Sequence, residues 1–280
     1  MNTGLSLRRN QLINKADGRS VIIAIDHGAI AGPVEGIEKP APLIAACVKA
    51  GVDGILTTKG FVDASRDAWN RNTALVLRVS GGFTVLGGGF EEEIIAEPQT
   101  TAAYGAAWAA ITVKFGHGRE GAFIRQASLE IDAYHRLGIP VMIEAMAKGS
   151  IEGKPFAPND PGAITMAARM AAEIGADMVK TYYTGTPETF ARVTAGCPVP
   201  VVILGGAKTD SEAAVFQDIR NSLEAGGGGI AMGRNIWGSK NLSGILRAVC
   251  GLVHENWTVE KALGACCTCE FLHEYAKNPD

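Results

Sequence analysis

The sequence predicts an α/β chain folded as a single (β/α)8 TIM barrel. Three observations predict it. Apolar runs of strand length recur along the whole chain, these runs are continuous rather than alternating, and helix-like stretches separate them. Continuous apolar runs belong to strands covered on both faces, as in parallel sheets, and parallel strands need helical crossovers. About eight such alternations are what a closed barrel requires.

In chain order the runs are Val21 to Asp26, Gly54 to Thr57, Ala74 to Ser80, Ala109 to Phe115, Pro140 to Met146, Met178 to Tyr183, Val199 to Gly206 and Gly229 to Gly233. Ala122 to Leu137, Ala163 to Ile174 and Asp210 to Ala225 carry apolar residues at helical spacing. Thr209 or Asp210 suits an N-cap, and Gly175 and Gly226 suit C-terminal positions. From Gly81 to Tyr104 the pattern weakens: Gly81, Gly82, Gly87, Gly88 and Gly89 surround a short apolar piece, and Glu91 to Glu93 form an acidic triplet. This stretch reads as a long loop with a displaced helix, either a cover over the site or a plain excursion into solvent. No Pro-, Ser- and Gly-rich linker divides the chain, so one domain over 1–280 is expected, with an N-terminal extension (1–18) and a C-terminal helical tail (258–280).

Composition narrows the partners. Of 280 residues, 47% are apolar, enough for a large core. Lysine and arginine total 26 against 29 aspartates and glutamates, a net charge of −3, which gives no long-range field for nucleic acid or anionic membrane. A small molecule is the expected partner. The apolar runs are too short to span a bilayer, and the polar stretch Met1 to Gly18 does not read as a signal peptide. Cysteines at Cys47, Cys197, Cys250, Cys266, Cys267 and Cys269 form no disulfide framework, so a reducing, cytoplasmic setting is expected. The tail cluster lacks the paired C-x2-C spacing of zinc sites and the five histidines are not grouped, so no metal is expected.

Barrels of this kind place their chemistry at the C-terminal ends of the strands. Lys180 stands inside an apolar run, in Asp177-Met-Val-Lys-Thr-Tyr-Tyr-Thr-Gly185. Burial disfavours its cation and frees the amine for attack on a carbonyl; the competing explanation is a structural pairing with a buried carboxylate. Asp26 and His27 end the first run, and Glu144 lies within the fifth. Two carboxylates near an amine can move the protons that imine chemistry requires, whereas His27 fits a structural histidine at least as well. Leu204-Gly-Gly-Ala-Lys208 and Met232-Gly-Arg-Asn-Ile-Trp237 follow the seventh and eighth strands. Phosphate sites in these barrels are frequently built from those two loops, with glycines admitting the anion to backbone amides and Arg234 adding charge. No nucleotide fingerprint is present. Lys114, at the end of the fourth run, and His117, just after it, read either as rim residues selecting an anionic group or as surface residues, because a one-residue shift of register exchanges the two.

These residues resemble a known group. Ala24-Ile-Asp-His-Gly28, Val179-Lys-Thr-Tyr-Tyr-Thr-Gly185, Gly205-Gly-Ala-Lys-Thr209 and Gly233-Arg-Asn-Ile-Trp237 are similar to the archaeal-type class I fructose-bisphosphate aldolase family. That family also holds 2-amino-3,7-dideoxy-D-threo-hept-6-ulosonate synthases and the autoinducer-2 phosphate thiolase. The resemblance implies Lys180 as Schiff-base lysine, Asp26 as a catalytic carboxylate, and phosphate contacts from Gly205, Gly206, Gly233 and Arg234. It implies no cofactor beyond the covalent imine, and a homo-oligomer, often a decamer. His27, Lys114, Lys208 and Tyr182 are candidate substrate contacts.

One departure matters. Sugar-phosphate aldolases of this group usually end strand five with Trp-Met-Tyr-Pro-Arg-Gly, whose tyrosine serves as general acid or base; here Glu144-Ala-Met-Ala-Lys-Gly149 stands in its place. Met146 cannot transfer a proton. Either Glu144, Lys114, Tyr182 or another group performs that step, or the reaction differs from fructose-bisphosphate cleavage. Glu144 is the first expected replacement, since a carboxyl held among apolar residues can have its pKa raised toward working pH. The expected activity is cleavage or formation of a carbon–carbon bond in a phosphorylated ketose. Two rivals are thiolase-like acyl transfer from a phosphorylated diketone to coenzyme A, and a catalytically silent phosphosugar-binding protein.

Overall fold

A computed structural model describes residues 3–87, 91–151, 154–209 and 211–266. Eight parallel strands close into a barrel: β1 (Ser20–Ala24), β2 (Gly54–Thr57), β3 (Ala74–Arg78), β4 (Trp108–Phe115), β5 (Val141–Ala147), β6 (Met178–Tyr182), β7 (Val201–Leu204) and β8 (Gly229–Met232). Each strand pairs with its sequence neighbours, and β8 closes on β1 through Ser20 opposite Gly229 and Ile23 opposite Met232. The eight expected runs are thus the eight strands, to within a few residues at each end. The single-domain (β/α)8 expectation holds.

Two apolar layers follow from the closure. Inside the barrel, Ile22, Leu56, Val76, Trp108, Met142, Met178 and Val202 pack together with Leu12. Leu12 ends the helix Thr3–Leu12, which lies across the N-terminal mouth: Trp108 Nε1 donates to the Arg8 carbonyl at 3.0 Å. A Cβ at Gly54 would sit 2.3 Å from Leu12 Cδ1, so the missing side chain there makes room for the plug. The extension expected at the N-terminus therefore seals the barrel floor. Outside the barrel, the other strand faces pack against helices that include Pro40–Ala50, Glu120–Arg136, Pro161–Glu173, Glu212–Glu224 and Leu242–His254.

Side-chain caps start four of the helices, at Asp160, Thr186, Ser211 and Asn241. Ser211 replaces Thr209 and Asp210 as the expected cap: its Oγ accepts from Ala214 N at 3.2 Å. Thr209 is instead held by its backbone, whose N–H donates to Asn235 Oδ1; Asp210 lies outside the described residues. Gly175 and Gly226 follow their helices as expected.

Between β3 and β4 the chain makes the expected excursion. Ser80–Gly81 pairs antiparallel with Glu93–Ile94, and the helix Pro98–Ala103 follows. Val85 N donates to the Ile30 carbonyl at 3.0 Å, and Arg119 pairs with Glu91 and Glu93, which fixes the excursion over the C-terminal mouth. Gly88 and Gly89 lie outside the described residues, as do Cys267, Cys269 and the end of the C-terminal tail. Cys47, Cys197 and Cys250 are buried free thiols, and Cys266 is buried. Among the described residues, no helix is long and apolar enough to cross a membrane.

Candidate active site

The C-terminal mouth of the barrel holds a cavity of about 340 Å³. Asp26 lies just past β1, Glu144 on β5, Lys180 and Tyr182 on β6, Gly205 and Gly206 after β7, and Gly233 and Arg234 after β8. All of them line this one cavity, as does His27. Residues far apart in sequence converge here because parallel strands all end at the same mouth.

Lys180 is 4% exposed, and its Nζ lies 2.9 Å from Glu144 Oε1. The two residues are register partners on β6 and β5. The other oxygen, Glu144 Oε2, accepts from Thr112 Oγ1 at 2.8 Å and from Arg78 at 3.0 Å. Burial alone would push the Glu144 carboxyl up, but Lys180, Arg78 and the Thr112 hydroxyl outweigh it and hold the group well below the usual carboxylate range. The expectation of a raised Glu144 pKa is therefore overturned. Its sequence neighbours are apolar, but its spatial neighbours are two cations.

Arg78 is the hub of this cluster. Its guanidinium donates to Asp26 Oδ2 at 3.0 Å, to Glu144 Oε2, to Glu92 Oε1 at 3.1 Å and to the Ser80 carbonyl at 2.9 Å. Burial opposes its charge, yet the three carboxylates together raise its pKa above the ordinary value. Sequence reading passed over Arg78, Glu92, Thr112 and Phe83. Arg78 did carry a signal, a charged residue inside an apolar run, the same signal that singled out Lys180.

Opposite Arg78, the β7 and β8 loops are stitched together by Asn235. Its Nδ2 donates to the carbonyls of Gly205 at 2.6 Å and Ala207 at 3.2 Å. Trp237 Nε1 donates to the Ala24 carbonyl at 3.0 Å, tying the β8 loop to β1. Gly206 has φ 61, a backbone conformation that suits glycine. Among the described residues no hydrogen bond or salt bridge engages the Arg234 side chain, so its guanidinium is available to an anion. Burial, and next the Arg234 charge, lower the His27 pKa against the pull of Asp26, which favours a neutral imidazole.

Three candidate contacts are placed elsewhere. Lys114 is 0% exposed and does not line the cavity; it lies 3.9 Å from Glu92 Oε1 and 4.4 Å from the Phe83 ring centroid. Burial first, and then the cations Lys148 and Arg78, push its pKa down to about 8. Lys208 is exposed and borders a separate hollow beside Gly238 and Lys240. His117 is half-buried against Phe123, outside the cavity. Among the described residues, no group of three or more histidines, cysteines or carboxylates is arranged to hold a metal ion.

A family model described as DeoC/LacD family aldolase matches residues 20–239. A 3-hydroxy-5-phosphonooxypentane-2,4-dione thiolase of Enterobacter sp. (strain 638) is 34% identical over 259 residues, covering 92% of this chain and 84% of the relative. Among solved structures, a Schiff base forming fructose-1,6-bisphosphate aldolase superposes with a TM-score of 0.81 at 28% identity, over 89% of this chain and 100% of that one. An archaeal fructose-1,6-bisphosphate aldolase whose catalytic lysine is covalently bound to the carbinolamine intermediate superposes with a TM-score of 0.80 at 28% identity, over 89% and 99% of the two chains. With its closed barrel and a buried lysine at the mouth, the chain belongs to the DeoC/LacD aldolase family and is a class I aldolase.

Proposed function

We propose that the enzyme binds a phosphorylated keto substrate of the dihydroxyacetone phosphate type as an imine on Lys180, and makes or breaks a carbon–carbon bond beside that imine. The observation that carries this reading is the Lys180–Glu144 contact of 2.9 Å at the bottom of a cavity with an unengaged arginine on its far wall.

The chemistry follows from the geometry. Glu144 Oε1 takes a proton from the Lys180 ammonium, and the freed amine adds to the substrate carbonyl to give a carbinolamine. As that positive charge leaves, a major cause of the low Glu144 pKa goes with it, so the carboxyl becomes basic when the proton moves. Glu144 then returns the proton to the carbinolamine hydroxyl, water departs, and the iminium remains. In the cleavage direction Asp26 takes the proton of the substrate hydroxyl next to the breaking bond. The bond electrons pass into the iminium, an aldehyde leaves, and an enamine stays on Lys180. Protonation of the enamine and hydrolysis release the keto phosphate. Gly205, Gly206, Gly233 and Arg234 hold the phosphate, so binding energy remote from the reacting carbons orients them. Tyr182 and His27 contact the bound substrate. No separate cofactor is needed, and homo-oligomeric assembly and a cytoplasmic location belong to the same reading.

Borohydride reduction in the presence of dihydroxyacetone phosphate, followed by peptide mass mapping, tests the proposal. The expected result is one adduct on Lys180. An adduct on another lysine, or none with any keto phosphate, overturns it. A second reading, acyl transfer from a phosphorylated diketone to coenzyme A, is favoured by Met146 at the tyrosine position and by the thiolase relatives. It retains Lys180, and formation of acetyl-coenzyme A would place it first.

A further inference from the structure

We propose that Glu92, together with Phe83 and Met146, makes the cavity end opposite the phosphate loops a site for an uncharged fragment. The enzyme then takes keto substrates with a single phosphate and rejects bisphosphates. This rests on the imine reading above and adds the substrate class to it.

The argument begins with topology. The closed strand order places β3 and β4 across the barrel from β7 and β8. A substrate with its phosphate at Gly206 and Arg234 and its carbonyl at Lys180 directs its remaining carbons toward Arg78, Glu92 and Phe83, with Met146 of β5 beside them. A second phosphate would arrive there and would need a cation.

Among the described residues, no cation that lines that end is uncommitted. Arg78 commits four of its five N–H donors to Asp26, Glu144, Glu92 and the Ser80 carbonyl. Drawing it toward a phosphate would leave three carboxylates in the wall without their counter-charge, which is strongly unfavourable. Lys114 is wholly buried, and neither it nor the exposed Lys148 lines the cavity. Besides Arg78 and the Thr112 hydroxyl, both already committed to Glu144, the wall presents the Glu92 carboxylate and two apolar side chains. Glu92 is 4% exposed, and its Oε2 has no hydrogen-bond partner among the described residues, so its charge is only partly met. A phosphate dianion beside it meets like charge in a poorly solvated site, whereas a hydroxyl or alkyl fragment does not. The two ends of the cavity therefore differ in kind: an arginine with no side-chain partner between glycine loops at one, and an arginine shared by three carboxylates at the other.

The test compares reductive trapping of fructose 1-phosphate and fructose 1,6-bisphosphate on the full-length enzyme, read as mass adducts on Lys180, with dihydroxyacetone phosphate as control. The monophosphate is expected to trap at least about tenfold more efficiently than the bisphosphate. Equal or better trapping of the bisphosphate overturns the inference, and so does trapping of the control with neither hexulose. No adduct with any of the three keto phosphates strikes the imine reading instead, and this inference with it. Two variants check the cause. Glu92→Gln and Met146→Arg should each shift the ratio toward the bisphosphate by about tenfold. If both fold, as judged by their melting curves, and both retain the wild-type ratio, the assignment of selectivity to this wall is wrong.

Discussion

Lys180 Nζ lies 2.9 Å from Glu144 Oε1 because the two residues are register partners on neighbouring strands, each pointing into the barrel mouth. A shift of one residue in either strand would turn one of them to the helix layer and separate the pair. Thr112 of β4 is in turn the register partner of Glu144 and fixes its second oxygen. Hydrogen bonding along three adjacent strands thus aims one carboxylate oxygen at one amine.

Glu144→Gln keeps the shape of that contact and removes its basicity. Imine formation with dihydroxyacetone phosphate should slow by about 10²- to 10⁴-fold, the usual contribution of a positioned acid–base group. Phosphate affinity, measured by competition with inorganic phosphate, should be unchanged, because the β7 and β8 loops do not touch Glu144. A trapping rate equal to wild type would remove Glu144 from the proton path.

Arg78→Met leaves Asp26, Glu92 and Glu144 without their shared partner. Breaking a buried ionic cluster in this way costs about 3–5 kcal/mol. The guanidinium is one of the groups that hold the Glu144 carboxyl low, so the stability it lends is present above the ordinary carboxylate range and is lost as pH falls; the variant's deficit should be largest near neutral pH and shrink as pH falls below ~4.5. Melting temperatures of wild type and variant across that range check the sign. A deficit independent of pH would show that Arg78 acts through packing alone.

Gly233→Ala tests the phosphate loops. A Cβ there would stand 2.5 Å from the Ala24 carbonyl oxygen and 3.0 Å from Trp237 Nε1, and both atoms belong to the hydrogen bond that ties the β8 loop to β1. The loop must move, carrying Arg234 with it. The KM for dihydroxyacetone phosphate in the trapping reaction should rise by roughly tenfold or more, while the rate at saturation changes less. An unchanged KM would remove this loop from phosphate binding.

The barrel and half of this site were legible in the sequence because they are written locally. An apolar run that ends in a polar residue at a parallel strand's C-terminus specifies both a strand and a mouth position, and this located Asp26, Lys180, Gly205 and Gly233. What was not legible depends on contacts between segments. Glu92 belongs to an acidic triplet that reads as solvated loop; it is buried where Arg78 and Lys114, on two other strands, receive its charge. The Glu144 carboxyl was misjudged for the same reason, since hydrophobic neighbours in sequence say nothing of Lys180 and Arg78 in space. Lys114 shows the limit of register reading: β4 was located correctly, yet whether its lysine reached the cavity or lay beneath the Phe83 and Glu92 excursion could not follow from the strand alone.

At the opposite end of the molecule His254, the last residue of the helix Leu242–His254, bridges two carboxylates. Its Nδ1 is 2.7 Å from Asp17 Oδ2 and its Nε2 is 2.9 Å from Asp53 Oδ2. Asp53 also accepts from Val21 N at 2.6 Å, so the bridge joins the N-terminal extension, the barrel floor and the last helix described in full. Burial opposes the imidazolium, but the hydrogen bonds and charges of Asp53 and Asp17 raise its pKa from 6.5 to about 8. A group whose pKa is higher in the folded state adds stability that is complete below the unfolded value and is lost as pH rises through the folded one. The difference amounts to roughly 2 kcal/mol, present at pH ~6 and gone by pH ~9. Wild-type protein should therefore lose several degrees of melting temperature across that interval, and His254→Gln should lose distinctly less while starting from a lower value at pH ~6. Parallel pH profiles for the two proteins would show that the bridge carries no net charge-dependent stability.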